Sequence, residues 1–152
     1  MILLLALIIG IVAGLRAMTA PAAVAWGAYL GTINVSASPL AFMGYYWTPW
    51  IFSVLAIVEL VTDQLPTTPS RKVPVQFGTR IVMGALTGAT IGASADQLVA
   101  GLVAGVIGAV IGTLGGAAAR GKLAASFKKD MPAAFIEDAV AIIAAILVVA
   151  AV

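Results

Sequence analysis

The sequence predicts an all-α membrane protein, a polytopic helix bundle of about five spans whose first helix is broken. Of its 152 residues, 62% are hydrophobic and only 9% are charged, whereas roughly 25% of the residues of soluble domains are charged. The mean hydropathy is +1.15. The apolar residues also fall into runs of about 20, the length that crosses the hydrocarbon core of a bilayer. We expect residues 1–152 to form a single integral membrane domain.

The first apolar run, residues 1–31, is longer than one span and is interrupted by Gly14, Arg16 and Pro21. We expect one long, tilted and broken span of about 45 Å, at 1.5 Å per residue, with the N-terminus inside. A re-entrant pair of half-helices is the alternative, and it would move the N-terminus outside. No basic region precedes the run, and the run continues past any plausible cleavage site, so we expect no cleaved signal peptide.

Four further spans follow, and their boundaries come from polar and proline-rich segments. The spans are predicted at residues 40–61, 80–92, 98–118 and 133–152. A polar turn is expected at residues 34–39 and a tight turn at residues 94–96. Residues 62–76, which hold three prolines, and the basic residues 120–130 are predicted loops. Pro132 stands where a proline at the first helical position would.

The two predicted loops carry most of the positive charge, and two spans separate them. Both loops must therefore lie on one side, and the positive-inside rule makes that side cytoplasmic. The aromatic residues of the first two spans fall at the opposite, outer interface, as an aromatic belt would. The basic residues are Arg71, Lys72, Arg120, Lys122, Lys128 and Lys129, and the aromatic residues are Trp26, Tyr29, Tyr45, Tyr46, Trp47 and Trp50.

An internal alignment pairs residues 7–14 (LIIGIVAG) with residues 98–105 (LVAGLVAG). In the expected topology these segments begin helix pairs of opposite orientation, which is the arrangement of the inverted repeats in many transporters. We therefore include an inverted repeat among the predictions.

Glycines recur every four residues in the third and fourth spans. This spacing puts small residues on one helix face, where backbones can approach closely. We expect the two spans to pack on each other through these faces, and the alternative is a homodimer interface. The glycines are Gly84, Gly88 and Gly92 in the third span and Gly108, Gly112 and Gly116 in the fourth.

Six charged residues are predicted near or inside the membrane, where ionisable side chains are costly unless they are paired or face water. They are Arg16, Glu59, Asp63, Arg80, Glu137 and Asp138. We expect the four carboxylates and Arg80 to converge near the cytoplasmic face, with Arg16 deeper. Such groups mark ion or proton pathways. The alternative is a structural network in which Arg16 and Arg80 neutralise Glu59 and Glu137.

The composition also excludes several kinds of site. The chain has no cysteine and no histidine, which excludes disulfides, thiolate chemistry, haem ligation by histidine and Ser-His or Cys-His nucleophiles. No nucleotide-binding P-loop or zinc-protease motif is present. We expect no enzyme activity, no cofactor and no nucleic-acid partner, and the identity of any metal stays unknown.

Several segments together resemble one known family. They are GLRAMTAPAAVAWGAYLG (residues 14–31), ELVTDQLP (59–66), GALTGA (84–89), GGAAARGKL (115–123) and a proline followed by a Glu-Asp pair at 132, 137 and 138. The chain is similar here to the small bacterial integral membrane proteins of domain-of-unknown-function family four-one-two-six. The resemblance implies a multi-span fold in the bacterial cytoplasmic (inner) membrane, and it singles out Arg16, Glu59, Asp63, Glu137 and Asp138 as the polar pattern of that family. It implies no activity.

Three functions are compatible with these observations. The first is a small transporter or channel, a homodimer in the lipid bilayer, that passes an ion or small solute. In it Glu59, Asp63, Glu137 and Asp138 bind a cation or proton, and Arg16 and Arg80 are counter-charges. The second is a structural or partner-binding membrane subunit without transport. The third, a metal-dependent membrane enzyme, is disfavoured by the absence of histidine.

Overall fold

The computed structural model describes residues 1–62, 74–128 and 130–152. Within these residues the chain is helical and contains no strand, so the all-α fold class is confirmed. The helices are α1 (Ile2–Leu15), α2 (Thr19–Tyr29), α3 (Trp47–Thr62), α4 (Pro74–Ala93), α5 (Leu98–Phe127) and α6 (Asp130–Ala151), and a 3₁₀ helix spans Ala41–Gly44.

The first apolar run is broken at residues 16–18, which we call the break. Arg16 ends α1 with an extended backbone, at φ −141° and ψ 109°. Ala17 and Met18 form a turn that leads into α2. Pro21 is the third residue of α2, inside the first turn, where a proline costs no helical hydrogen bond.

Helix α1 runs parallel to α5 and antiparallel to α4. A Cβ added to Gly108 would meet Leu7, and one added to Gly14 would meet the backbone nitrogen of Thr113 at 2.5 Å. The residue numbers of the contacting positions therefore increase together along α1 and α5, which shows that these two helices run in the same direction. Arg80, near the start of α4, instead donates a hydrogen bond to Gly14, at the end of α1.

Helix α2 turns back along α6. Arg16 pairs with Asp138, and eleven residues further along each helix Gly27 packs against Val149. The start of α2 thus lies level with Asp138, about two turns into α6, and from that level both helices run in the same direction, away from the break. Helix α6 turns back along α5, since Arg120 near the end of α5 lies 3.5 Å from Glu137 of α6. Because α1 runs in the direction of α5 and α2 in the direction of α6, α1 and α2 form a hairpin.

The prediction that residues 1–31 form one long crossing is therefore corrected: α1 and α2 form a hairpin, as in the re-entrant alternative. The side of the membrane on which the N-terminus lies stays a prediction. The physical reason is that separate helices cap each side of the break. Arg80 binds the carbonyl end of α1, and the carboxylate of Glu59 binds the amide end of α2. Met1 lies at the same end of the bundle as Val152.

The inverted repeat proposed for residues 7–14 and 98–105 is also wrong. The first segment belongs to α1 and the second to α5. These helices pack on each other in the same direction, with Gly10 of α1 against Gly105 of α5. A repeat inverted across the membrane requires opposite directions.

Both glycine rows are buried between helices of this one chain. Gly84, Gly88 and Gly92 of α4 pack on α5, as predicted, and a Cβ at Gly84 would lie 2.7 Å from the carbonyl oxygen of Gly105. Gly108 and Gly112 of α5 instead pack on α1, which corrects the expectation that both rows join α4 to α5. Gly116 is buried one turn later. A second copy of the chain would have to use another surface.

Four predicted boundaries move. The third span begins as a helix at Pro74 rather than at residue 80, so residues 74–76 of the predicted loop are helical, because a proline is tolerated at the first position of a helix. The second span begins as a helix only at Trp47, because Pro49 is tolerated in its first turn and the preceding residues form the 3₁₀ helix. Helix α5 continues to Phe127 through residues predicted as loop, since their alanine, lysine and arginine favour helix. Helix α6 begins at Asp130, so Pro132 is its third residue. The turn at residues 94–96 is confirmed, with Asp96 at φ 58°.

Two of the described helices are long and apolar enough to cross a membrane, Leu98–Phe127 and Pro132–Ala151. Helices α1 and α3 are apolar but shorter, at 14 and 16 residues. The count of five spans stays a prediction.

The bundle has two chemically different ends. Arg120 and Lys122 lie in the last part of α5 and Lys128 directly follows the helix. We call this part of the bundle the basic end. At the opposite, aromatic end, four pairs of rings pack edge to face with centroids 5.1–6.0 Å apart. These rings belong to Trp26, Tyr29, Tyr46, Trp47 and Trp50. The expected separation of basic and aromatic residues holds for these parts of the chain.

Candidate functional site

Charged side chains from five helices or their ends meet around the break. We call this set the charged layer, and it consists of Arg16, Glu59, Arg80, Arg120, Glu137 and Asp138. Five of these residues were predicted as site residues from the sequence. The sixth predicted residue, Asp63, lies outside the described residues, as do Arg71, Lys72 and Lys129.

Arg16 is the most deeply buried member of the charged layer, with a side chain that is 0% exposed. Its guanidinium is bound by Asp138, which accepts from Nε and also pairs with Nη2. Nη2 lies 3.8 Å from Oε2 of Glu137 as well. Two consecutive acids, the eighth and ninth residues of α6, therefore hold the arginine that ends α1.

Arg120 also belongs to the charged layer, although the sequence placed it in a loop. Its Nη1 lies 3.5 Å from Oε2 of Glu137, so Glu137 lies between two guanidinium groups. Arg120 follows Gly108, Gly112 and Gly116 at the same four-residue spacing. That spacing is the signal that would have placed Arg120 on the buried face of a longer α5.

Glu59 binds the first backbone amides of the second half of the hairpin. Its Oε1 accepts from the N–H of Ala17 and its Oε2 from the N–H of Met18, both at 2.8 Å. The first amides of a helix have no partner within the helix and carry partial positive charge. From its position on α3, the Glu59 carboxylate satisfies the amide of Met18, the N-cap residue of α2, and the amide of Ala17 in the turn just before it.

Arg80 is bound on two sides, and its side chain is only 3% exposed. Nη1 donates to the carbonyl oxygen of Gly14 at 2.9 Å, and Nη2 lies 3.8 Å from Oε1 of Glu59. The hydroxyl of Thr113 also reaches the Gly14 carbonyl, at 3.5 Å. The sequence did not single out Thr113 as a site residue.

The signs of these charges match the helix ends that they face. The carbonyl end of α1 carries partial negative charge and meets Arg80. The amide end of α2 carries partial positive charge and meets Glu59. Where the chain reverses at the break, backbone N–H and C=O groups lose their hydrogen-bond partners within a helix. The side chains of the charged layer bind these groups instead.

Two cavities adjoin the charged layer. One, of about 210 Å³, lies between the break, α3 and α4 and is lined by Glu59, Arg80, Thr62, Gln76 and Thr79 among others. The other, of about 130 Å³, lies between α5 and α6 and is mainly apolar, with Arg120 and Glu137 on its wall. Each cavity thus adjoins one carboxylate and one guanidinium.

The charged layer divides into two groups that meet at residues 14–18. Arg16, Arg120, Glu137 and Asp138 form one group, and Glu59 with Arg80 forms the other. In each group the formal charges balance. Among the described residues no three Asp or Glu side chains come together as a metal site would require.

A comparison with family models finds one match, to a domain of unknown function, DUF4126, over residues 3–151. No curated protein and no solved structure matches the chain.

Proposed function

The chain belongs to the DUF4126 family of domains of unknown function, and we propose that it passes an ion or small solute across a membrane at the break between α1 and α2. The proposal has two parts, a location in the membrane and a transport activity. The bacterial cytoplasmic membrane, with several spans and with the basic end inside, is the proposed location.

The membrane location is supported by the surface of the bundle. Helices α5 and α6 are long and apolar enough to span a bilayer. Large apolar side chains on α3 are exposed, including Ile51, Val54, Ile57 and Val61, which are 56–61% exposed. Clusters of basic residues at one end and aromatic residues at the other are typical of proteins that span a membrane with the basic end inside.

The observation that carries the transport proposal is the buried, broken backbone bound by charged side chains. Non-helical backbone at membrane depth is tolerated where it is buried in protein or lines a cavity. Discontinuous helices whose free amides and carbonyls face charged groups form the substrate sites of many transporters. The break has these features and adjoins a cavity of about 210 Å³.

The geometry changes the role proposed for the carboxylates. Glu59, Glu137 and Asp138 each lie against a guanidinium, so they form no exposed cluster of negative charge. We propose that ions or solutes pass by exchanging partners with these ion pairs, so that Arg16 and Arg80 contact the solute as well as balance charge. Because a single chain encloses little interior space, we include a homodimer in the proposal.

The ion pairs of the charged layer favour a second candidate function, a structural or partner-binding membrane subunit. Every described member of the charged layer has an oppositely charged neighbour within 4 Å. An ion-pair network of this kind can lock the packing of helices without any flux. The two functions differ in what neutralising one acid would do.

Flux measurements in proteoliposomes distinguish the two functions. We would compare the wild type with Glu59→Gln and Glu137→Gln across a panel of cations, anions and pH gradients. Asp96→Asn is the matched control, because Asp96 is an exposed acid in the turn between α4 and α5, and asparagine tolerates its positive φ. We expect flux in the wild type and in the control, and altered flux in the other two variants. Folded wild-type protein with no flux for any solute would overturn the proposal.

A further inference from the structure

The cavity between α5 and α6, which we call the α5–α6 cavity, opens on the outer surface of the bundle. Its volume is about 130 Å³, and most of its wall is apolar. Ala119 on α5 and Ile136 and Val140 on α6 belong to this wall and are exposed. The cavity is therefore accessible from outside the bundle, and in a membrane its opening faces lipid.

The α5–α6 cavity lies where the hydrocarbon core of a membrane would end at the basic end. Helix α5 begins at Leu98, and the rise from Leu98 to Arg120 is about 33 Å at 1.5 Å per residue. The hydrocarbon core is about 30 Å thick, so Arg120 lies level with the lipid headgroups. Gly116 and Val140 line the cavity about one turn deeper. The wall thus extends from the level of the acyl chains to the level of the headgroups.

A positive charge without a counter-charge lies at the headgroup side of the cavity. Lys122 is exposed and comes three residues after Ala119, so the two side chains share a face of α5. Within the described part of the chain no acid forms an ion pair with Lys122. Glu137, also in the wall, lies 3.8 Å from Arg16 and 3.5 Å from Arg120, so its negative charge is compensated. This end of the cavity therefore favours an anion.

We propose that the α5–α6 cavity binds one anionic phospholipid, with part of one acyl chain between the helices and the headgroup phosphate beside Lys122. The apolar wall has room for part of an acyl chain. Basic pockets between membrane helices on the cytoplasmic side bind anionic headgroups. The inference rests on the membrane location in the proposed function and not on transport, and it involves no covalent step.

An anionic phospholipid is the occupant that uses both parts of the site. Free phosphate would contact Lys122 but would leave the apolar wall uncovered. A zwitterionic phospholipid has the same acyl chains, but its headgroup brings a positive charge close to Lys122. One lysine near the membrane surface strengthens the binding of anionic lipid about fivefold. We therefore expect phosphatidylglycerol to bind about fivefold more tightly than phosphatidylcholine.

The test is a lipid titration of the full chain in detergent micelles. Dioleoylphosphatidylglycerol, dioleoylphosphatidylcholine or inorganic phosphate is added, and the thermal unfolding midpoint is followed as the amount rises. The quantity compared is the mole fraction of lipid that gives half of the full rise, because a substitution can change the midpoint itself through packing alone. For the wild type we expect half-saturation at about fivefold less phosphatidylglycerol than phosphatidylcholine, and no saturable rise with inorganic phosphate.

Two pairs of variants test the apolar part of the site. Ala119→Leu fills the cavity from an exposed position, and we expect it to raise the half-saturating fraction of both lipids about tenfold. Ala118→Leu is the matched control, because Ala118 is exposed but is not part of the wall. Ile136→Ala removes contacts from the opposite wall and should weaken both lipids as well. Its control is Ile143→Ala, at an exposed position of α6 outside the cavity. The second pair gives the same comparison if Ala119→Leu does not fold.

A pair of lysine variants tests the headgroup part. We expect Lys122→Gln to remove the preference for phosphatidylglycerol and to leave the titration with phosphatidylcholine unchanged. Lys128→Gln removes the same charge about 9 Å further along the chain, at 1.5 Å per residue, and should keep the preference of the wild type.

Three results would overturn the inference. The first is equal half-saturation in each cavity variant and its control. The second is an equal loss of preference in the two lysine variants, which would show a diffuse attraction of the basic end for anionic lipid. The third is a saturable rise with inorganic phosphate that matches the rise with phosphatidylglycerol, which would show a site for a free anion.

These outcomes can be separated from those of the proposed function. A wild type with the expected lipid preference and no flux of any solute would keep the lipid site and overturn transport. Release of the chain from isolated membranes by an alkaline wash would overturn the membrane location. A chain that stays in washed membranes but shows no lipid preference would overturn the lipid site alone.

Discussion

Arg80 donates a hydrogen bond from Nη1 to the carbonyl oxygen of Gly14 across 2.9 Å, and the two residues are 66 positions apart in the chain. The bond places the beginning of α4 beside the end of α1, so these helices are antiparallel. It also satisfies a carbonyl group that has no partner within α1. The reversal of the chain at the break depends on this contact and on the Glu59 carboxylate that binds the other side.

The hairpin predicts that both chain termini lie at the aromatic end. The chain has no cysteine, so single cysteines can be introduced and labelled with a membrane-impermeant maleimide in sealed vesicles. A cysteine inserted after Met1 is expected to react from the same side as Leu30→Cys, because Leu30 is 70% exposed at the aromatic end. Lys122→Cys, at the basic end, marks the other side.

A cysteine after Met1 that reacts only from the side of Lys122→Cys would contradict the hairpin. That result would restore a single broken crossing by residues 1–31. Permeabilised vesicles, in which all three cysteines should react, control for accessibility.

Removing the guanidinium of Arg16 is expected to destabilise the fold strongly. Arg16→Gln leaves Asp138, whose side chain is 13% exposed, without its main counter-charge, and breaking a buried pair costs about 3–5 kcal/mol. Arg16→Lys keeps the charge but replaces a planar fork by a single ammonium group, so its cost should be smaller. The free energy of unfolding in detergent measures both changes.

A double-variant cycle tests whether Arg16 and Asp138 act together. If they do, Arg16→Gln/Asp138→Asn will cost less than the sum of the two single variants, by about 0.5–3 kcal/mol. Additive costs would show that Arg16 acts through other contacts.

The glycine packing predicts a large difference between two glycine-to-alanine changes. In Gly84→Ala the new methyl would lie 2.6 Å from Cβ of Ala109 and 2.7 Å from the carbonyl oxygen of Gly105, so α4 and α5 must separate. Overpacking of this kind costs about 1–3 kcal/mol. Gly115→Ala is the matched control on α5, where an added Cβ meets nothing within 4 Å.

Alanine favours helix over glycine by about 1 kcal/mol, so Gly115→Ala should unfold at the wild-type temperature or higher. The thermal unfolding midpoint in detergent gives both values. Equal midpoints for the two variants would show that α4 and α5 do not touch at Gly84.

The aromatic end offers a smaller, local test. Trp26 donates from Nε1 to the hydroxyl of Ser53 at 2.8 Å, which joins α2 to α3. Ser53→Ala removes the acceptor and should cost about 1 kcal/mol of unfolding free energy. Ser36→Ala, which loses an exposed hydrogen bond to Asn34, should change it by less than about 0.5 kcal/mol. Equal effects would place Trp26 away from Ser53.

The helices and their close packing could be predicted from the sequence, because both depend on amino-acid composition and on the spacing of residues along the chain. Apolar runs predicted helices, glycines at four-residue spacing predicted close packing, and Arg16 followed by Pro21 predicted a break. The scarcity of charge also made the convergence of Glu59, Arg80 and Glu137 predictable, since few partners exist for each. Asp63 lies outside the described residues, so its place in the cluster stays a prediction.

The direction of the chain after the break was decided only by tertiary structure. A broken span and a hairpin have the same local sequence, and the difference is which helix supplies the partners of the freed backbone groups. Arg80 and Glu59, from α4 and α3, supply them, and the pairing of α1 with α5 in the same direction follows from that reversal. Contacts between distant segments are not encoded in local periodicity, so the arrangement of the charges around the break became visible only in the folded chain.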